Sequence, residues 1–427
     1  MARKMRDSGV EWIGEVPDGW EMYRLKFIAD CFDGKRVPID ASQRRVGPYP
    51  YWGSGSIQDY VDDYIFDEEL VLLGEDGAPF FDKCRDVAFL VRGKIWVNNH
   101  IHVLKAKSRC TNQYLCYALN VVDYSDYVSG SILLKLTQGR MNEIVVPIPP
   151  FPEQRRIADY LDEKCAAIDG AVDELKRGIE DCKAWKKAII FEAVTGKKRV
   201  MGNGERGMGR MRDSGIPWIG EIPEGWEVKP LRRLGRLANG ISKGGEYFGK
   251  GFPFVSYSDV YKNDAIPTQV KGLVEANDQE RERYSVKRGD VFFTRTSETV
   301  DEIGIAAACL KDIQDSTFAG FLIRFRPMTD ELLPEFSKYY FRNKLVSEYF
   351  AKELVMVTRA SLGQELLKSL PVFIPPMKEQ QAIADYLDEK CAAIDALVAE
   401  KEKLIADLEA YKKSLIFELV TGKREVA

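Results

Sequence analysis

Ile157-Ala-Asp-Tyr-Leu-Asp-Glu-Lys-Cys-Ala-Ala-Ile-Asp169 recurs without one change at Ile383–Asp395, 226 residues further on. Both copies run on to the same closing stretch, Val194-Thr-Gly-Lys197 and Val420-Thr-Gly-Lys423. Leu161, Cys165, Ile168, Val172, Leu175, Ile179, Cys182, Lys186 and Ile189 step alternately by four and three residues. Leu387, Cys391, Ile394, Val398, Lys401, Ile405, Leu408, Lys412 and Leu415 repeat those steps. An alternation sustained over more than three heptads predicts a long helix with a coiled-coil seam, and the Gly after each run suits a helix C-terminus. Pro149-Pro150 and Pro375-Pro376 stand ahead, closing the strand-like runs Val145–Ile148 and Val372–Ile374. Cys165 and Cys391 read as small core residues of the seam. Lys186 and Lys412 hold equivalent seam positions, where a charge is expected to cost stability and to set register or leave room for a partner.

Upstream the chain repeats again. Met5-Arg-Asp-Ser-Gly-Val-Glu-Trp-Ile-Gly-Glu-Val-Pro-Asp-Gly-Trp20 returns as Met211-Arg-Asp-Ser-Gly-Ile-Pro-Trp-Ile-Gly-Glu-Ile-Pro-Glu-Gly-Trp226, at an offset of 206, so the second half carries a net insertion of 20 residues. Such a period is too long for a solenoid and marks a two-domain duplication. Each half is an opening segment, a variable body and a shared helix. The divisions are 1–152 for the first body, 153–197 for its helix, 198–210 for a Gly-rich and basic flexible linker, 211–378 for the second body and 379–427 for its helix. The bodies read as mixed α/β. Strands are expected at Tyr64–Phe66, Leu70–Leu73, Val87–Val91 and His100–Leu104, then at Phe252–Tyr257, Asp290–Thr294, Ile305–Leu310 and Phe318–Phe325. Helices are expected near Gln113–Leu119 and Leu333–Phe350. The fold class is α+β, with two α/β domains in a pseudo-two-fold arrangement separated by two long antiparallel coiled-coil helices. Each helix, about 39 residues or ~58 Å long, then holds a body at either end of a rod. Such a ruler suits a long polymer of two-fold character, and duplex DNA fits.

Composition sets the outer limits. The 427 residues are 45% hydrophobic and 30% charged, which excludes a disordered chain. No apolar run reaches the roughly 18 residues of a membrane span, and the first residues lack the apolar core of a secretory signal. The eight cysteines lack zinc-type or disulfide-framework spacing, which fits a reducing, cytoplasmic setting. A net charge of −4 argues against a basic nucleic-acid binder until the charges are located. Lys83–Arg109 carries seven basic residues against Asp86, and Lys229–Lys250 carries six against Glu246, while acid gathers at Asp59–Glu69. That asymmetry suits one face on phosphate and another on solvent.

The ordered set of motifs resembles the specificity subunit of Type I restriction-modification enzymes over essentially the whole chain. The motifs are the MRDSG-x-x-WIGE-x-P-x-GW openings, the IPP-x-x-EQ junctions at Ile148–Gln154 and Ile374–Gln380, and the IADYLDEKCAAID helices closing in VTGK. The resemblance implies two target-recognition domains, each reading half of a split, asymmetric site in prokaryotic double-stranded DNA, with the helices fixing the gap. It implies two modification subunits carrying S-adenosylmethionine and two restriction subunits using ATP and Mg, with no cofactor and no catalysis on this chain. The residues agree. Ile148-Pro-Pro-Phe151 and Ile374-Pro-Pro-Met377 put Ile where an adenine methyltransferase needs an acceptor. Trp52-Gly-Ser-Gly-Ser56 reads as a turn rather than a cofactor loop. Gly244–Gly251 resembles a phosphate-binding loop but ends in Gly where the magnesium hydroxyl belongs. His100 and His102 share a strand face, and two ligands do not make a zinc site.

Base reading calls for Arg or Lys toward guanine and Asn or Gln toward adenine, on loops at strand ends. The first body offers Arg36, Arg44 and Arg45 beside the aromatic-glycine loop with Tyr51, Trp52 and Ser54, then Asn98, Asn99 and His100, then Lys135 and Arg140. The second offers Lys243, Tyr247, Ser256, Ser258, Arg295, Thr296, Ser297, Thr358 and Arg359. Trp12, Trp20, Trp218 and Trp226 are common to both halves, cannot encode different half-sites, and read as packing or partner docking. A competing interpretation is a coiled-coil scaffold whose variable domains bind proteins. It accounts for the acidic pI but not for basic clusters in both bodies.

Overall fold

The computed structural model describes residues 3–82, 85–200, 206–207, 210–216, 219–297, 302–353 and 360–426. The chain forms two units, Met1–Gly178 with Glu400–Ala427, and Ile179–Ala399. The helices Phe151–Val194 and Met377–Val420 are 44 residues each, and every seam position named above is buried or half-buried. In each unit the early part of one helix and the late part of the other lie antiparallel. Ile157, Leu161 and Cys165 cluster with Leu415–Val420 in the first unit. Ile383, Leu387 and Cys391 cluster with Ile189–Val194 in the second.

The seam lysines are matched by acid. Lys412 Nζ lies 2.8 and 2.7 Å from the Asp169 carboxylate oxygens, and Lys186 Nζ lies at the same distances from Asp395. Both acids are the last residue of the duplicated thirteen. Burial works against the Lys412 ammonium, but the bond to Asp169 and its charge outweigh it and raise the pKa. Lys186 and Lys412 therefore favour one register through matched charges at equivalent levels of the seam.

The junction motif has a physical reason. Gln154 and Gln380 are fully buried at the start of each long helix. The Gln154 amide donates to Pro149 O and Arg109 O, both at 2.9 Å, and accepts from the Thr111 N–H at 3.0 Å. Gln380 donates to Pro375 O and Glu331 O and accepts from the Leu333 N–H in the same way. Each amide is thus fully satisfied by main chain, as a buried polar group must be. The two ends of each body are paired as antiparallel ribbons, Glu21–Arg24 with Val145–Ile148 and Glu227–Pro230 with Pro371–Ile374. The Gly after each long helix is required: Gly422 has φ +71°, and a Cβ there would stand 2.3 Å from Pro17.

In the first body the strands Ala29–Cys31, Ile101–Ala106, Leu70–Gly74 and Ala88–Val91 form an antiparallel sheet in that spatial order. The helix Asn112–Asn120, capped by Thr111, covers it with Tyr114, Leu115, Ala118 and Leu119. A second sheet orders Ile57–Val61, Val46–Trp52, Lys94–Val97 and Phe66–Asp67. The second body repeats the plan. Gly235–Asn239, Leu322–Pro327, Val291–Thr294 and Ala306–Ala308 form the antiparallel sheet, and Gly272–Val274, Phe248–Val255 and Thr317–Phe318 form the other. The parallel pairing of Trp52 with Val97 returns as Val255 with Phe318.

Three expectations need correction. The helix expected at Leu333–Phe350 is two, Pro334–Tyr340 and Lys344–Glu353, because the buried Asn343 side chain accepts the Leu345 N–H and restarts the turn. The strand expected at Phe318–Phe325 is two strands in different sheets. The near end of the linker is docked: Val200 is buried, Arg199–Val200 pair with Arg206–Gly207, and Arg199 Nε bonds Glu379 at 3.0 Å. Residues 201–205 and 208–209 lie outside the described residues.

Candidate nucleic-acid interface

The same three main-chain bonds frame one edge of each body. Behind the central strand of the first body, the Glu75 N–H donates to His100 O at 3.1 Å and Glu75 O accepts from the Leu136 N–H at 2.8 Å. In the second body, the Arg295 N–H donates to Phe321 O at 3.0 Å and Arg295 O accepts from the Leu362 N–H at 2.7 Å. The Val37 N–H bonds Val97 O where the Ile241 N–H bonds Phe318 O. Equivalent places therefore hold Glu75 and Arg295, His100 and Phe321, Lys135 and Ser361, Arg36 and Gly240. The backbone is constant and the side chains change.

On the first frame, Asn98, Asn99, His100, Lys135 and Arg36 come together around carboxylates that the sequence analysis did not single out. The Arg36 guanidinium lies 2.6 Å from Glu75 and 3.3 Å from Asp33, bonds Ile101 O, and is only 14% exposed. His102, fully buried, sets Nδ1 2.6 Å from Asp33 and Nε2 2.8 Å from Leu136 O. Asp33, Glu75 and His102 bring ligand atoms within 4.8 Å of one another, but Arg36 already places its cation on both carboxylates and both His102 nitrogens are engaged. Burial acts to raise the Asp33 pKa, yet the His102 bond and charge, the Val103 N–H and Arg36 together pull it below the usual carboxylate range. Above this buried set, Asp76 bonds the half-exposed His100 at 3.1 Å and Lys135 at 3.0 Å. Asn98 is buried and accepts the His100 N–H, which shapes the turn, whereas Asn99 is exposed. Arg140 is exposed in the turn of helix Gln138–Met141.

The remaining candidates divide. Tyr51 is buried and its hydroxyl accepts the Ile39 N–H, while the Arg44 guanidinium lies 4.3 Å from the Tyr51 ring centre and 3.5 Å from Asp59. Trp52 packs on Phe89. Arg45 is exposed and Ser54 is half-buried. In the second body, Lys243 is held by Glu280 and Glu275 O, each at 2.7 Å, and Ser256 caps the helix Tyr257–Lys262. Tyr247 and Ser258 are exposed. Arg295 is exposed and makes no ion pair among the described residues. Thr296 and Ser297 form a two-residue ribbon with Ala360–Ser361. Trp218, Thr358 and Arg359 lie outside the described residues.

The basic run of the first body is not a bare phosphate face. Arg92 pairs with Glu69, Lys105 with Glu68, Lys107 with Asp30 and Arg109 with Glu21. Glu68 and Glu69 of the acidic run thus neutralise two cations of the basic run across strands, and Asp30 and Glu21 pair with two more. In the second body Lys229, Lys243 and Lys250 are paired, while Arg232, Arg233 and Arg236 stay exposed.

A repeated frame bearing different side chains is the design of a paired recognition protein, and the comparisons agree. The profile of the Type I restriction modification DNA specificity domain matches residues 17–173 and again 223–407, and the chain belongs to that family. The Type I restriction enzyme MjaVIII specificity subunit of Methanocaldococcus jannaschii is 24% identical, over 96% of this chain and 94% of that one. A Haemophilus influenzae protein provisionally named a type I restriction enzyme specificity subunit is 26% identical over 86% of each. A chain of a type I R-M system has the same fold at TM-score 0.68 and 17% identity, covering 96% of this chain and 99% of that one. Among the described residues no helix is long and apolar enough to cross a membrane.

Proposed function

We propose that this chain is the DNA-addressing subunit of a Type I restriction-modification enzyme, with no catalysis of its own. Each body reads one half of an asymmetric, interrupted duplex site and the paired helices set the gap. Two methyltransferase subunits would bring S-adenosylmethionine, and two restriction subunits would bring ATP and Mg; this chain would bind none of these. The observation that carries the reading is the constant frame with exchanged side chains: a common scaffold presents two different recognition surfaces. The exposed groups on or beside the frames are the proposed readers, Asn99, His100, Lys135 and Arg140 in the first body and Arg295 in the second. Asn and Arg make bidentate contacts to adenine and guanine edges in the major groove. Arg45, Tyr247 and Ser258 serve as outlying contacts. Arg36, Arg44 and Lys243 hold the bodies together.

The test is methylation sequencing of DNA exposed to the full chain with its methyltransferase partner. One interrupted sequence with unlike halves is expected, and methylation at unrelated adenines would overturn the reading. Lengthening both helices by two turns should widen the gap; an unchanged gap would remove the spacer role.

A further inference from the structure

Next to the first frame stands a short hairpin with an apolar tip. Ser129 and Lys135 exchange both main-chain bonds, at 3.0 and 2.8 Å, and close the loop Gly130–Leu134. The reversal depends on Gly130 at φ +104°, where a Cβ would stand 2.2 Å from Leu133 O. The base is pinned by the Gly77 N–H on Leu134 O at 2.8 Å, by Leu136 on Glu75, and by Lys135 on Asp76. Leu134 turns inward against the core. Ile132 is 99% exposed and Leu133 62% exposed. The loop, held at its base, projects Ile132 and most of Leu133 into water between small Ser-Gly-Ser and Lys, with one end of Leu133 resting against Gly77.

We propose that Ile132 and Leu133 form a wedge that enters the base stack within the half-site read by the first body. The proposal rests on the DNA reading above. Aliphatic side chains inserted between base steps unstack them and kink the duplex. The neighbours suit DNA rather than a protein partner: Lys135 closes the base of the hairpin and shares Asp76 with His100, and the exposed Arg140 lies in the short helix that follows, so positive and polar groups able to meet phosphate and base edges accompany the loop. The small Ser129-Gly130-Ser131 side lets the backbone approach closely. The tip is held by bonds to the frame that carries the readers, so wedge and readers would engage one stretch of duplex together. A bend at flexible pyrimidine–purine steps would then add sequence preference at positions no side chain touches.

The experiment uses the full chain assembled with its methyltransferase partner, on the target mapped as above. 2-Aminopurine is placed in turn at each position of the first half-site, and end-to-end energy transfer reports bending. The wild-type complex should brighten at a step other than the methylated adenine and shorten the duplex. Ile132→Ser with Leu133→Ser should abolish both signals and weaken specific binding roughly ten- to a hundredfold. Its thermal midpoint and its assembly with the partner should stay unchanged, and Ile132→Val with Leu133→Met should restore binding. Equal affinity and an unchanged fluorescence pattern would overturn the wedge while leaving the DNA reading intact. Loss of partner assembly before DNA is added would overturn it in favour of a protein-docking tip. A complex that methylates no defined sequence would remove the DNA reading itself, and the wedge with it.

Discussion

The two bodies make the same main-chain bonds and put opposite charges on them. In the first, the residue behind the central strand is Glu75, and Arg36, His102 and Lys135 gather around it. In the second, the same place is Arg295, which faces water, and the place of Arg36 is Gly240, where a Cβ would stand 2.2 Å from Phe318 O. One body therefore stabilises its edge with an internal ion network. The other leaves Arg295 exposed, with no ion pair among the described residues, and brings the backbone of Gly240 close to Phe318 O. A frame held by main chain tolerates either solution, which is how two surfaces of different specificity arise from one duplicated unit.

The widest test of that comparison is exchange. Replacing residues 24–146 with the body of another family member should change one half-site completely and leave the other untouched, as methylation sequencing would show. Coupled changes in both halves would mean that the bodies are not independent. Removing Arg36 should be the largest single-residue effect on stability. Arg36→Ala takes from Asp33 and Glu75 the cation they share in a largely buried site and should cost about 3 kcal/mol in denaturant unfolding. Arg295→Ala should instead leave unfolding unchanged and relax discrimination at one base pair of the second half-site by about 1–3 kcal/mol. If the two variants behaved alike, the contrast drawn between the frames would fail. Smaller still, Lys412→Met and Lys186→Met should each change stability by at most about 1 kcal/mol and by equal amounts, because their ion pairs share one geometry.

The finest test is pH. Asp33 has its folded pKa lowered, so its stabilising contribution is present above the ordinary Asp value of about 3.9 and is lost as pH falls through the folded value. Unfolding free energy should therefore drop as pH falls below about 3.9 in the wild type, and less steeply in Asp33→Asn. Parallel slopes would show that the network does not depend on the Asp33 charge.

Much of the scaffold was legible because its signals are local and repeated. The 4-3 steps named the seam residue by residue, and the apolar runs near Leu70, Val87 and Asp290 marked the core strands. What escaped was non-local. The aromatic-glycine stretch with Tyr51, Trp52 and Ser54 reads as a loop, yet Tyr51 and Trp52 end the inner strand Val46–Trp52, whose ladder to Lys94–Val97 uses only those two residues, beyond Pro48 and Pro50. Tyr51 then turns inward and carries none of the surface role its loop-like setting suggests. The basic run Lys83–Arg109 looked like a phosphate face because its acidic partners, such as Glu21 and Glu68, are remote in sequence and meet it only through the sheets. Arg36 failed as an exposed reader for the same reason: Glu75 lies 39 residues away.

Every partner of Gln154 and Gln380 across the junction is a backbone atom, Arg109 O and Thr111 N in one case and Glu331 O and Leu333 N in the other. A lock that grips only peptide groups is indifferent to the side chains of what it holds. The body's sequence is therefore free to drift or to be replaced wholesale while its angle on the helix stays keyed, because a helix turns by about 100° per residue and the amide fits one orientation. The joint acts as a standard coupling, and it makes recognition surfaces interchangeable parts.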